Sequence, residues 1–85
     1  MIYRIAASNR FSKDFQKLDR TLQSRVSREI ENLADNPYYG KALKGELEKR
    51  YSLRIGEYRV IYLIHNRDKV IQLITVRHRG KAYRL

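Results

Sequence analysis

Residues 50–65, RYSLRIGEYRVIYLIH, decide the fold. Tyr51, Leu53 and Ile55 alternate with Arg50, Ser52 and Arg54. After Gly56-Glu57 the alternation resumes, with Tyr58, Val60, Tyr62 and Ile64 set against Arg59, Ile61, Leu63 and His65. A period of two is that of a β-strand, whose successive side chains point to opposite faces. Gly56-Glu57, glycine first, is the pair a type II′ turn prefers. So tight a turn sets the register: Ile55 pairs with Tyr58, Arg54 with Arg59, and Ser52 with Ile61. One face is then wholly apolar or aromatic, and the other carries Arg50, Ser52, Arg54 and Arg59.

Downstream, Asn66-Arg67-Asp68 turns the chain and Lys69 to Arg77, rich in Val, Ile and Thr, reads as a further strand. With that turn centred on Asp68, Arg77 falls beside Arg59 and Arg79 lies just beyond. Upstream, Tyr38 to Glu46, with Gly40 and Gly45, reads as mostly loop. Asp35-Asn36-Pro37 stops a helix, because proline biases the residue before it away from helical angles. That helix opens at Asp19 or Thr21 and sets Leu22, Val26, Ile30 and Leu33 on one stripe. An earlier helix, capped by Ser8 or Asn9, spaces Phe11, Phe15 and Leu18 likewise, and Ile2 to Ala7 reads as a first strand. The order is β-α-α-β-β-β. Each helix has a single apolar stripe, so both cover one sheet face. The expected fold is a two-layer α+β domain over residues 1–85, a helical hairpin packed on an antiparallel sheet.

Charge separates the two halves. Residues 8–35 carry six basic and five acidic side chains, whereas residues 36–85 carry twelve against four, out of a formal net charge of +10. The last nine residues hold Arg77, Arg79, Lys81 and Arg84 with no acid. So lopsided a distribution implies a polyanionic partner, nucleic acid first. With no Cys there is no disulfide and no thiol nucleophile. Neither His65 nor His78 has the neighbouring ligands of a zinc site, so no metal and no cofactor is expected. No apolar run reaches membrane-spanning length, and MIYRIAASNR is too short in apolar residues for a secretory signal. A soluble, cytoplasmic protein that does not engage membrane is expected. Arginines in a row across three strands repel one another by several tenths of a kcal/mol per pair, which suggests that an anion belongs there. Arginine forks bind phosphate oxygens at two points, and Tyr38, Tyr39 and Tyr83 are candidates to stack on bases.

LKGELEKRYSLRIGEYRVIYLI (Leu43 to Ile64) and VIQLITVRHRGKAY (Val70 to Tyr83) resemble the RelE/ParE toxin superfamily, the RelE-like branch more closely, its archaeal members included. The resemblance rests on Leu43 and Gly45, on the Leu-Arg-x-Gly-x-Tyr-Arg-x-x-Tyr block from Leu53 to Tyr62, and on the His-Arg-x-x-x-Tyr ending from His78 to Tyr83. It implies the toxin of a type II toxin–antitoxin pair, with the RelE-like microbial RNase fold. Such toxins enter the ribosomal A site and cut mRNA without a metal, by attack of a 2′-hydroxyl on the adjacent phosphate, and so inhibit translation.

Residue by residue, the resemblance implies that Arg59 contacts the scissile phosphate, that Arg79 is the arginine at the end of the last strand, and that Tyr83 stacks on or assists at the cut base. Arg50, Ser52, Arg54, Arg77 and Lys81 are the accompanying RNA-binding candidates. Ser52 departs from the best-studied branch, which has there a lysine proposed as general base. A serine cannot do that work unaided, and guanidinium groups carry no acceptor. The proton then goes to His78 or Tyr83, or catalysis rests on electrostatics and positioning. The implied partners are a RelB-like antitoxin, acidic and partly helical, the ribosome with its mRNA, and operator DNA only through the antitoxin. Two alternatives stand beside the nuclease: a ParE-like gyrase poison, and a catalytically weak member that binds its antitoxin.

Overall fold

A computed structural model describes residues 2–43 and 50–80. Strand β1 is Arg4–Ala7, followed by helices α1, Asn9–Gln16, and α2, Arg20–Asp35. A 3-10 turn, Pro37–Tyr39, leads into the short strand β2, Lys41–Ala42, and then come β3, Arg50–Ile55, β4, Tyr58–His65, and β5, Val70–His78.

Side-chain caps set both helix starts. Ser8 accepts from the Phe11 amide at 3.0 Å, and Asp19 accepts from the Leu22 amide at 2.8 Å. Each satisfies an amide that the first helical turn leaves without an intrahelical acceptor. Ser8 also donates to the Ile74 carbonyl at 2.8 Å, so one hydroxyl both caps α1 and ties it to β5. The Thr75 hydroxyl donates to the Asp14 carboxylate, a second tie from α1 to the same strand. Helix α2 ends where expected, at Asp35, and Pro37 opens the 3-10 turn.

The sheet has the order β1-β5-β4-β3-β2. β2, β3, β4 and β5 are mutually antiparallel neighbours, and β1 lies parallel to β5, with Arg4 opposite Val70 and Ala7 opposite Leu73. The sheet is therefore mixed, where the sequence suggested an antiparallel one. The two helices carry the chain from β1 across to the opposite edge, where β2 enters running against β1; after three further antiparallel reversals β5 runs in the same sense as β1 and pairs with it. Strand β2 falls within a stretch whose sequence reads as mostly loop. Two residues are too few to show alternation, and they pair only because Lys41 meets Ser52 and Ala42 meets Tyr51.

The expected apolar face is the core face. Leu53, Ile55, Val60 and Tyr62, with Ile71, Leu73 and Val76 of β5, pack against Phe11, Val26 and Leu33, and Tyr51, Tyr58 and Ile64 close its margins. Burial of each large aliphatic side chain contributes about 1.5–3 kcal/mol. The opposite face departs from the expectation of a bare polar surface. Ser52, Ile61 and Thr75, paired across β3, β4 and β5, are buried at its centre. Among the described residues, no helix is long and apolar enough to cross a membrane.

Candidate nucleic-acid interface

The arginine row is a product of register. Gly56 takes φ +60° and Glu57 does not follow it into positive φ, the pattern of a type II′ turn. Ile55 consequently faces Tyr58, and Arg54 faces Arg59. On the other flank Arg59 faces Arg77. Residues directly opposite on antiparallel strands point to the same face, so Arg54, Arg59 and Arg77 stand side by side on neighbouring strands about 4.8 Å apart. Arg50, on the same strand as Arg54 and at an even spacing from it, shares that face.

Arg59 is half-buried, and its Nη1 donates to Ser52 Oγ at 3.4 Å. Ser52 is only 3% exposed. The serine thus positions the central guanidinium and is sealed beneath it, which accounts for its burial on a face read as open. Arg54 is exposed, its Nε directed at the Gly56 carbonyl at 3.5 Å. The edge of β3 borders a cleft of about 510 Å³, whose walls include Tyr39, Lys41, Ser52, Arg54 and Arg59, together with Glu29 of α2.

Two further candidates lie elsewhere. His78 faces Tyr58 across the ladder, on the sheet face opposite the arginines. Its ring meets the Tyr58 ring edge-on, centroids 5.5 Å apart, and its Nδ1 accepts from the Gly80 amide at 3.4 Å. Strand alternation put it there: His78 adjoins Arg77, so the two diverge. Arg79 follows β5 and is exposed, its amide donating to the Glu57 carbonyl at 2.6 Å, which ties the end of β5 to the β3–β4 turn. Lys81 and Tyr83 lie outside the described residues.

One cleft residue carries no signal in the sequence. Lys41 is the partner of Ser52 and therefore projects from the arginine face. No periodicity marks so short a strand. The stretch before it is fixed from below: the buried Tyr62 hydroxyl donates to the Pro37 carbonyl at 2.9 Å and accepts from the Gly40 amide at 3.0 Å. A Cβ added at Gly40 would collide with Tyr62 Oη and come within 2.9 Å of the Ser52 carbonyl oxygen, so a side chain would have no room.

The row offers strong positive potential and two-point donors for oxyanions, and no proton acceptor of its own. Such groups stabilise charge that develops on a phosphate in a transition state.

A helical pair on this mixed five-stranded sheet is the fold of the RelE toxins of type II toxin–antitoxin systems. The toxin–antitoxin complex RelBE2 of Mycobacterium tuberculosis superposes with a TM-score of 0.86 at 27% identity, covering 93% of this chain and all of the matched one. The archaeal RelE–RelB complex of Pyrococcus horikoshii OT3 gives 0.79 at 29% identity, over 96% of this chain and 100% of the other. In sequence, Toxin RelE of Mycobacterium tuberculosis (strain ATCC 25618 / H37Rv) is 31% identical over 85 residues, 98% of this chain and 88% of the relative. The pattern described as ParE toxin of type II toxin-antitoxin system, parDE, matches residues 5–83. The chain belongs to this RelE/ParE toxin family, in its RelE-like branch.

Proposed function

We propose that the chain is a ribosome-dependent mRNA endonuclease that acts in the cytoplasm without a metal or cofactor and is held in check by a cognate antitoxin. The observation that carries this reading is the row of Arg54, Arg59 and Arg77 on one sheet face, its central guanidinium seated on Ser52. In the reaction, the 2′-oxygen of an A-site nucleotide attacks the adjacent phosphorus as its proton passes to water. The bond from phosphorus to the 5′-oxygen breaks, that oxygen takes up a proton from water, and a 2′,3′-cyclic phosphate and a 5′-hydroxyl result. Arg59 holds the non-bridging oxygens as the phosphorane forms, while Arg54, Arg77, Arg50 and Lys81 hold the flanking backbone. Arg79 is the candidate to serve the leaving oxygen, and Tyr83 to stack at the cut base. Since His78 projects from the other face, the chemistry rests on electrostatic stabilisation and positioning, with Tyr83 as the remaining proton-transfer candidate.

The antitoxin is RelB-like, acidic and partly helical, and operator DNA is reached only through it. An apolar groove of about 400 Å³ between β1 and the two helices, lined by Ile5, Ala7, Phe11, Phe15, Ile30 and Leu73, suits its apolar side chains. Its carboxylates match the arginine face. The relatives that superpose at 27% and 29% identity are themselves toxin–antitoxin complexes, which supports this partnership.

A second reading, a ParE-like gyrase poison, draws on the family pattern that matches residues 5–83. A purified translation system with a programmed A site separates the two. Cleavage of mRNA only when ribosomes are present is the expected result. Intact mRNA with trapped gyrase–DNA complexes would establish the poison instead, and neither effect would mark a catalytically weak member.

A further inference from the structure

The geometry points to a nucleotide-binding subsite at the open edge of β3, in which Lys41 holds a backbone phosphate and Tyr39 stacks on the attached base. The inference deepens the nuclease reading and rests on it. Lys41 and Ser52 are ladder partners and project from one face, so the Lys41 ammonium enters the cleft that Arg54 and Arg59 also line. Ser52, buried under Arg59, contributes no charge there, and Lys41 contributes the cation from the strand alongside.

Tyr38 and Tyr39 are consecutive aromatic residues with different surroundings. Tyr38 has its hydroxyl on Asn66 Oδ1 at 2.9 Å and its ring edge-on to Tyr51, so it is spent on packing. Tyr39 is 56% exposed and lines the cleft. Its backbone is held on both sides, with the Pro37 carbonyl and the Gly40 amide anchored to one buried hydroxyl. An exposed aromatic ring on a fixed backbone is a stacking platform that loses little freedom on binding.

Glu29 sets the polarity of the occupant. A carboxylate repels a phosphate and accepts from the N–H groups of a base edge. The base therefore lies toward Tyr39 and Glu29, and the phosphate toward Lys41 and the arginines. The ligand class is single-stranded RNA, one nucleotide of which occupies the cleft.

The test is binding of a short fluorescein-labelled single-stranded RNA, 2′-O-methylated so that it cannot be cut, to the full chain over a range of salt concentrations. Each phosphate contact on a single strand contributes about 0.7 to the slope of log affinity against log salt. Lys41→Ala is expected to reduce the slope by about that amount, and Lys41→Arg to restore it. Tyr39→Ala is expected to weaken binding by about 10-fold with the slope unchanged, the expectation for lost stacking, and Tyr39→Phe to bind as the parent does. Lys13→Ala, on α1, serves as the control. Both side chains are exposed, so melting curves should stay within a few degrees of the parent. Affinities and slopes unchanged in both alanine variants, or no binding by the parent chain, would overturn the subsite. The programmed-ribosome assay judges the nuclease reading separately: a parent that cuts mRNA while these variants cut equally well sinks the subsite alone.

Discussion

Arg59→Ala is expected to lower ribosome-dependent mRNA cleavage by about 100- to 1,000-fold, the cost of removing one well-placed donor to a developing oxyanion. Arg59 stands between Arg54 and Arg77 in the ladder and is the member of the row that Ser52 orients. Its removal takes away both a full charge at the phosphate and the fork that fixes the attacking geometry. Arg59→Lys keeps the charge and loses the fork, so it should recover only part of the rate. Far-UV circular dichroism should remain that of the parent, because the core residues lie on the other face. Unaltered cleavage by Arg59→Ala on programmed ribosomes would remove the residue from the site.

Tyr62→Phe is expected to destabilise the fold by about 1–3 kcal/mol, the cost of leaving a buried donor and a buried acceptor without their shared partner. For a domain of this size each kcal/mol lowers the melting temperature by roughly 4–8 °C. The side chain is 0% exposed, and its hydroxyl bridges the Pro37 carbonyl and the Gly40 amide. Burial pushes this phenol up to about 12, the Gly40 hydrogen bond pulls it down, and neighbouring Tyr51 adds a smaller upward push. The folded state therefore favours the protonated phenol more than the unfolded state does. That contribution is complete below pH 10, the unfolded value, and is lost as the pH climbs from about 10 toward about 12. The parent should lose melting temperature across that window, and Tyr62→Phe should lose less of it. Equal slopes in the two proteins would show that another group is responsible. Because the same hydroxyl holds the segment bearing Tyr39 and Lys41, the variant should also bind RNA less tightly.

What the sequence disclosed about the site followed from turn chemistry. Gly56 takes the positive φ a type II′ turn needs, and a turn that short allows one register, so the Arg54–Arg59 pair was legible. The Arg59–Arg77 pair was legible through two offsets that cancel. The second turn extends from Asn66 to Lys69, the latter at φ +56°, which shifts the pairing near the turn by one residue relative to a centre at Asp68. A bulge beside Ile61 and Tyr62 then restores it before Arg59.

Other features were out of reach because they depend on contacts between distant segments. The parallel pairing of β1 with β5 joins residues more than sixty positions apart. Lys41 acquires its place from a two-residue strand, and the burial of Ser52 follows from the path of one arginine side chain. The position of His78 was legible in principle. Its alternation with Arg77 directs it to the other face.

The central claim is that Arg54, Arg59 and Arg77 grip one ribose–phosphate backbone together. Nitrogen-15 labelling of the arginine side chains, with the 2′-O-methylated RNA titrated into the full chain, tests it most directly. Concerted shifts of the Nε–H resonances of these three residues, saturating at a common RNA concentration, are the predicted result. Shifts confined to Arg10, Arg20 and Arg28 on the helices, with the three sheet arginines unmoved, would contradict it.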